Sequence, residues 1–127
     1  MLEPGLKGIA ESCVERANTA LELGSGSMLV YGTPALAALM ERSACEAIAC
    51  GLEDGVSSVG TKLELSHDAA TPVGMAVRAE ATLTEVDGRR LVFEIDAFDE
   101  RGPIGKCRHE RFLVQEERFL NKTYEKL

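Results

Sequence analysis

The hydrophobic and polar positions of this chain change period once. From Thr33 to Gly51 the interior is built from Ala, Leu and Met, which favour a helix. The stretch predicts one helix over 33–51, with Thr33 as its N-cap, Pro34 in the first helical position and Gly51 as the left-handed residue that ends it. Apolar or small residues occupy nearly every angle of its first two turns, as expected of a helix that other elements enclose. Beyond it the period is two. Val59, Thr61, Leu63, Leu65 and His67 share one face of a strand, with Gly60, Lys62, Glu64 and Ser66 on the other. A turn over 68–74 leads to Met75, Val77, Ala79, Ala81 and Leu83 on one face of the next strand. Asp87-Gly88 is a hairpin signal, and Leu91, Phe93, Ile95 and Ala97 mark the strand that returns from it. Arg101-Gly102-Pro103 turns the chain into a last strand over 104–115, followed by a polar tail with some helical character.

Ahead of the helix the pattern is weaker. Ile9, Val14 and Leu21 among polar residues predict an opening strand within 6–22, Gly24-Ser25-Gly26-Ser27 a flexible link, and Met28–Tyr31 a short strand or turn. The fold class is α+β: an antiparallel sheet wrapped around one long central helix. Such a sheet leaves an open edge and an incompletely covered helix, which pairing of two copies edge to edge resolves, so a homodimer is expected.

Composition narrows the partners. The 127 residues are expected to form a single domain over 1–127, and no stretch approaches the roughly 18 apolar residues of a membrane span. With 14 basic and 21 acidic residues the net charge is -7, which argues against a nucleic-acid partner. No secretion signal is evident, so a cytoplasmic protein is expected. Cys13, Cys45, Cys50 and Cys107 form no CxxC pair and read as small reduced core residues, so no metal site and no cofactor is expected.

Three local sequences add a resemblance. Gly32-Thr33 with Leu39-Met40-Glu41, Val59-Gly60-Thr61 with His67-Asp68-Ala69-Ala70-Thr71-Pro72, and Gly88-Arg89-Arg90-Leu91 with His109-Glu110-Arg111 make residues 28 to 120 similar to hotdog-fold thioesterases. In particular they resemble the fluoroacetyl-CoA thioesterase family. The resemblance implies hydrolysis of an acyl-CoA thioester by Thr33, Glu41 and His67, with Gly60 offering its backbone N–H near the thioester carbonyl. One departure is that the segment before the helix is short and rich in Gly and Ser, without a longer aromatic-containing lid. Thioesterase activity therefore carries over better than selectivity for a fluorinated acyl group.

The residues themselves support that chemistry and leave alternatives. Thr33, at a helix N-terminus, is either a plain capping hydroxyl or a nucleophile placed where negative charge is stabilised. Glu41 lies eight residues further on, a rise of about 12 Å and a rotation of about 80°, so the two cannot hydrogen-bond along one helix. If both act on one thioester they flank it or come from different subunits. Glu41 is otherwise an ion-pairing residue, for example with Lys62 or Arg42. His67 is a proton carrier near neutral pH or a strand-end histidine, and Gly60 either relieves a bulge or lets a carbonyl approach the backbone. His109 is assigned a structural place. Arg89, Arg90, Lys106 and Arg108 are the candidate cations for the CoA phosphates or ordinary solvated residues.

Two mechanisms follow. In one, His67 deprotonates Thr33 for attack on the carbonyl, the arrangement the resemblance favours; in the other, Glu41 activates water or attacks directly. A non-catalytic acyl-CoA binder on the same fold is the alternative, and it would show affinity without turnover. A hydratase would use an Asp/His pair, for which Asp68 falls on the wrong face of the strand from His67.

Overall fold

The alternating residues form one antiparallel sheet in a computed structural model that describes residues 1–127. Its strands are β1 (Lys7–Cys13), β2 (Val56–His67), β3 (Ala76–Asp87), β4 (Arg90–Asp99) and β5 (Gly102–Gln115), in the order β1-β3-β4-β5-β2. Three helices accompany them: α1 (Ala20–Leu23), α2 (Thr33–Ile48) and α3 (Glu116–Tyr124). The long helix α2 packs against the sheet. Leu36, Met40, Ala44 and Ile48 form a fully buried row along it, facing Leu83, Leu91, Phe93 and Ile95. Each large side chain removed from water in this way contributes about 1.5–3 kcal/mol, which is what holds helix and sheet together. The closest approach is at Gly8 in β1, where a Cβ would run into the Ser43 carbonyl and the Ala47 backbone of α2.

Several sequence expectations change in the details. The opening strand is only Lys7–Cys13, because the chain then folds into a 3₁₀ turn at Arg16–Asn18 and into α1. Thr19 caps α1 by accepting from the Glu22 N–H, and Gly24 closes it in the left-handed region, so the Gly/Ser link begins as a helix cap. Met28–Tyr31 makes only isolated bridges, Thr19 to Tyr31 and Val30 to Pro72. The N-cap of α2 is Gly32, and Thr33 is the first helical residue with its side chain free of a capping bond. Gly51 ends a 3₁₀ turn (Ala49–Gly51) without positive φ; it is small because Leu2 packs where its side chain would be. The β3–β4 hairpin does turn on Gly88, at φ 61°. Of the cysteines only Cys107 lies in the core, while Cys13 and Cys50 are exposed, and all four are free thiols.

One irregularity matters for function. β2 pairs with β5 as Gly60↔Arg111 and then Lys62↔Glu110, a bulge that gives β2 one extra residue. The bulge reverses the phase of the alternation, so Gly60 lies on the same face as Leu63, Leu65 and His67 rather than opposite them. Along its other edge β2 has no strand neighbour, and the first turns of α2 leave Pro34 and Ala38 exposed. No helix is long and apolar enough to cross a membrane.

Candidate active site

Helix α2 and strand β2 meet at two places, and each holds sequence-predicted residues. At the N-terminus of the helix, Thr33 Oγ1 is 2.8 Å from His67 Nδ1 at the end of β2. These two residues, 34 positions apart in sequence, are in direct hydrogen-bond contact. Burial pushes the His67 imidazole below its ordinary value, partly opposed by the Asp68 carboxylate, so the ring is neutral at neutral pH. Its Nε2 is buried and has no hydrogen-bond partner within the chain. Asp68 takes a hydrogen bond from the Ser66 hydroxyl and does not reach the ring, as its place on the strand implied. A cavity of about 230 Å³ opens beside the pair, lined by Ser25, Val30, Tyr31 and Ala70 among others. Burial pushes the Tyr31 phenol up to about 12, so Tyr31 moves no proton near neutral pH.

Two turns further along α2, Glu41 lies over Gly60. A Cβ at residue 60 would overlap Glu41 Oε2, and would come within 3.3 Å of the His109 ring and 3.4 Å of Arg111 Nη1. Glycine is required there by crowding: what approaches its backbone in this chain is the Glu41 carboxylate. Arg111 Nη1 donates to Glu41 Oε2 at 3.1 Å, while Arg111 Nε donates to Ser58 Oγ at 2.8 Å and Nη2 to the Ser58 carbonyl at 3.0 Å. Glu41 therefore has an ion-pair partner, but it is Arg111 rather than Lys62 or Arg42. Lys62 pairs with Glu64, and Arg42 donates to the Glu11 carbonyl. The Arg111 side chain is 8% exposed and that of Glu41 is 43% exposed, so the carboxylate keeps one side open.

Arg111, which the sequence offers only within the motif His109-Glu110-Arg111, and His109, expected to be structural, are the two residues at this cluster without a predicted functional role. The signal was present, since Cys107, His109 and Arg111 share the inward phase of β5 while Lys106, Arg108 and Glu110 take the outward one. A charged residue on the inward phase of a strand is costly unless it is paired, and so points to a site.

The structure does not bring the four predicted cations to either cluster. Arg90 binds Glu85 at 2.8 Å and Glu110 at 3.1 Å, and Arg108 binds Glu110 at 2.6 Å, a network on the outer face of the sheet. Those two arginines hold the Glu110 carboxyl below the usual range. Lys106 stands beside Ser66 on that face. Arg89 borders the largest cavity, about 590 Å³, which lies at the far end of α2 among Leu2, Leu52, Val86 and Leu113 and touches none of Thr33, Glu41 and His67.

The chain has named relatives. A family model described as "fluoroacetyl-CoA-specific thioesterase" matches residues 14–117. A fluoroacetyl-CoA thioesterase from Streptantibioticus cattleyicolor is 39% identical over 97 residues, which are 76% of this chain and 70% of that protein. Among solved structures, a threonine-to-serine variant of the fluoroacetyl-CoA thioesterase FlK in complex with acetyl-CoA superposes with a TM-score of 0.93 at 32% identity, over 98% of each chain. A hot-dog-like protein from Thermanaerovibrio acidaminovorans, at 24% identity and a TM-score of 0.88 over 99% of this chain and 93% of its own, shares the fold.

Proposed function

This chain belongs to the fluoroacetyl-CoA-specific thioesterase family and has its hotdog fold, and from that premise we propose that it hydrolyses a small acyl-CoA thioester through Thr33, His67 and Glu41. The observation that carries the proposal is the 2.8 Å contact between Thr33 Oγ1 and His67 Nδ1. A neutral imidazole protonated at Nε2 accepts the Thr33 hydroxyl proton at Nδ1. The Thr33 oxygen then bonds to the thioester carbonyl carbon, the C–S bond breaks, and the leaving thiolate takes that proton from His67. Water completes the cycle: His67 removes its proton, hydroxide adds to the acyl-threonine ester, and Thr33 leaves with the proton returned by His67. Free acid and CoA are the products. Glu41, oriented by its 3.1 Å bond from Arg111, supplies a fixed charge to the site.

Within one chain the two clusters stand about 12 Å apart along α2, too far to touch one thioester group. A second copy supplies the remedy. Antiparallel pairing of β2 with β2 of a partner brings the His67 end of one strand toward the Gly60 end of the other. Each site then takes Thr33 and His67 from one subunit and Glu41 from the other. The free edge of β2, the exposed start of α2 and the unpartnered Nε2 of His67 support this homodimer. Of the four cations, Lys106 and Arg89 form no ion pair, which leaves them free for a CoA phosphate. The four free thiols suit a cytoplasmic setting.

Thiol release from a panel of acyl-CoAs of increasing chain length tests the reading. We expect turnover of the shortest members, because the cavity beside Thr33 is small, and its loss in Thr33→Ala and Glu41→Gln. Binding of acyl-CoA without thiol release would instead identify a non-catalytic acyl-CoA binder.

A further inference from the structure

We propose that His109 is the positioning residue for the Glu41 end of the site: a neutral imidazole protonated at Nδ1, whose Nε2 lone pair holds Arg111 and through it fixes the Glu41 carboxylate over Gly60. The assignment deepens the thioesterase reading above and rests on it for the role of Glu41.

The distances decide the tautomer. His109 Nδ1 is 2.8 Å from the Lys62 carbonyl oxygen, which can only accept, so Nδ1 carries the proton. The lone pair is then at Nε2, 3.2 Å from Arg111 Nη1, which can only donate. Arg111 is thus gripped from both sides, by Ser58 through Nε and Nη2 and by His109 through Nη1. The direction left to that same Nη1 is toward Glu41 Oε2. A guanidinium held in this way has one orientation, and so has the carboxylate paired with it.

Protonation of His109 would undo the arrangement. The ring is 1% exposed and is faced by Arg111 from β5, Glu41 from α2, the Lys62 carbonyl from β2, and the Phe93 ring of β4 at 6.0 Å, with the Glu110 carboxylate acting on it from the outer face. The Lys62 ammonium itself is taken by Glu64. An imidazolium would lose the acceptor and set a cation against Arg111. Burial first holds the His109 imidazole below its ordinary value, opposed by the bond to the Lys62 carbonyl and aided by the Arg111 charge, so the ring is neutral at neutral pH.

Two amides separate the roles of the two ring nitrogens. Gln at 109 reaches the Nε2 position with an acceptor for Arg111, whereas Asn stops near Nδ1 and keeps only the bond to Lys62. The kcat of H109Q is expected to be about ten-fold or more above that of H109N, with KM little changed, as follows from a carboxylate displaced by about 1 Å in H109N. Thermal melts of both variants establish that they are folded. Equal kcat in the two folded variants would overturn the proposal. Imidazole ¹⁵N shifts at pH 7 give a readout independent of turnover: they should report His109 protonated at Nδ1 and bare at Nε2, and the opposite tautomer would overturn it too. Glu41→Gln is assayed alongside. Full activity of that variant would remove the thioesterase role of Glu41, while the ¹⁵N shifts, and an Arg111 Nη1–H signal that persists in H109Q and is lost in H109N, would still judge the positioning itself.

Discussion

The two ends of the α2–β2 contact are built on opposite principles. At one end, Thr33 and His67 share a single hydrogen bond, Thr33 is exposed, and His67 has a nitrogen without a partner. At the other, Arg111 is buried among Ser58, His109 and Glu41, and a glycine clears the space beneath. The first end carries groups that can exchange protons with a substrate because little else holds them. The second carries a charge that cannot turn away. Bond-making groups need freedom to change partners, whereas electrostatic stabilisation is effective only when it is already oriented. The proposed mechanism follows this difference, with the covalent step at Thr33 and His67 and the fixed field at Glu41.

That contrast can be broken most severely at Thr33. Thr33→Ala is expected to lower kcat by about 10³-fold and to abolish an acyl adduct on the residue 33 peptide, read by rapid-quench mass spectrometry. Undiminished turnover without any adduct would transfer the attack to water activated by Glu41. Gly60→Ala acts on the other end by pushing the Glu41 carboxylate aside, with an expected loss of about 10- to 100-fold in kcat at unchanged fold.

The histidines sharpen the comparison through pH. Both have folded-state values below the ordinary 6.5 of the unfolded chain, so both are neutral above it. Their contribution to stability is complete above about pH 6.5 and is lost as pH falls through the folded-state values, because the unfolded chain takes up protons first. A melt series between pH 7.5 and 5 should show this decline. It should flatten more in H109Q than in a His67→Gln variant, since His109 is the more deeply buried ring. The acid limb of kcat/KM should follow His67 and fall below pH 6.5.

The smallest effect on turnover is expected far from either end. Gly8→Ala forces β1 away from α2 and should cost about 1–3 kcal/mol of stability in a denaturant melt, while kcat of the folded enzyme is unchanged.

Much of this architecture was legible in the chain. A run of Ala, Leu and Met located α2, and the alternation at Val77–Leu83 and Leu91–Ala97 located the inner faces of β3 and β4, where those positions are buried. What escaped depends on neighbours that are remote in sequence. The bulge at Gly60–Lys62 hides in a run whose alternation looks unbroken, and only pairing with β5 reveals that Gly60 and His67 share a face. Arg90 and Arg108 look like free cations until Glu85 and Glu110 arrive from adjacent strand positions. Gly51 has the composition of a helix stop, yet its small size answers Leu2. For the site, the sequence points to Thr33 and His67, whereas the place of Arg111 depends on its inward phase on β5, which only the pairing with β2 shows.

The central claim is that the two ends are halves of one site completed by a second copy. Mixing the Thr33→Ala and Glu41→Gln proteins under conditions that exchange subunits tests it directly. A mixed dimer would hold one intact site, so thiol release should recover to about a quarter of the wild-type rate from two inactive parents. Subunit exchange verified by mass with no recovery of activity would contradict it.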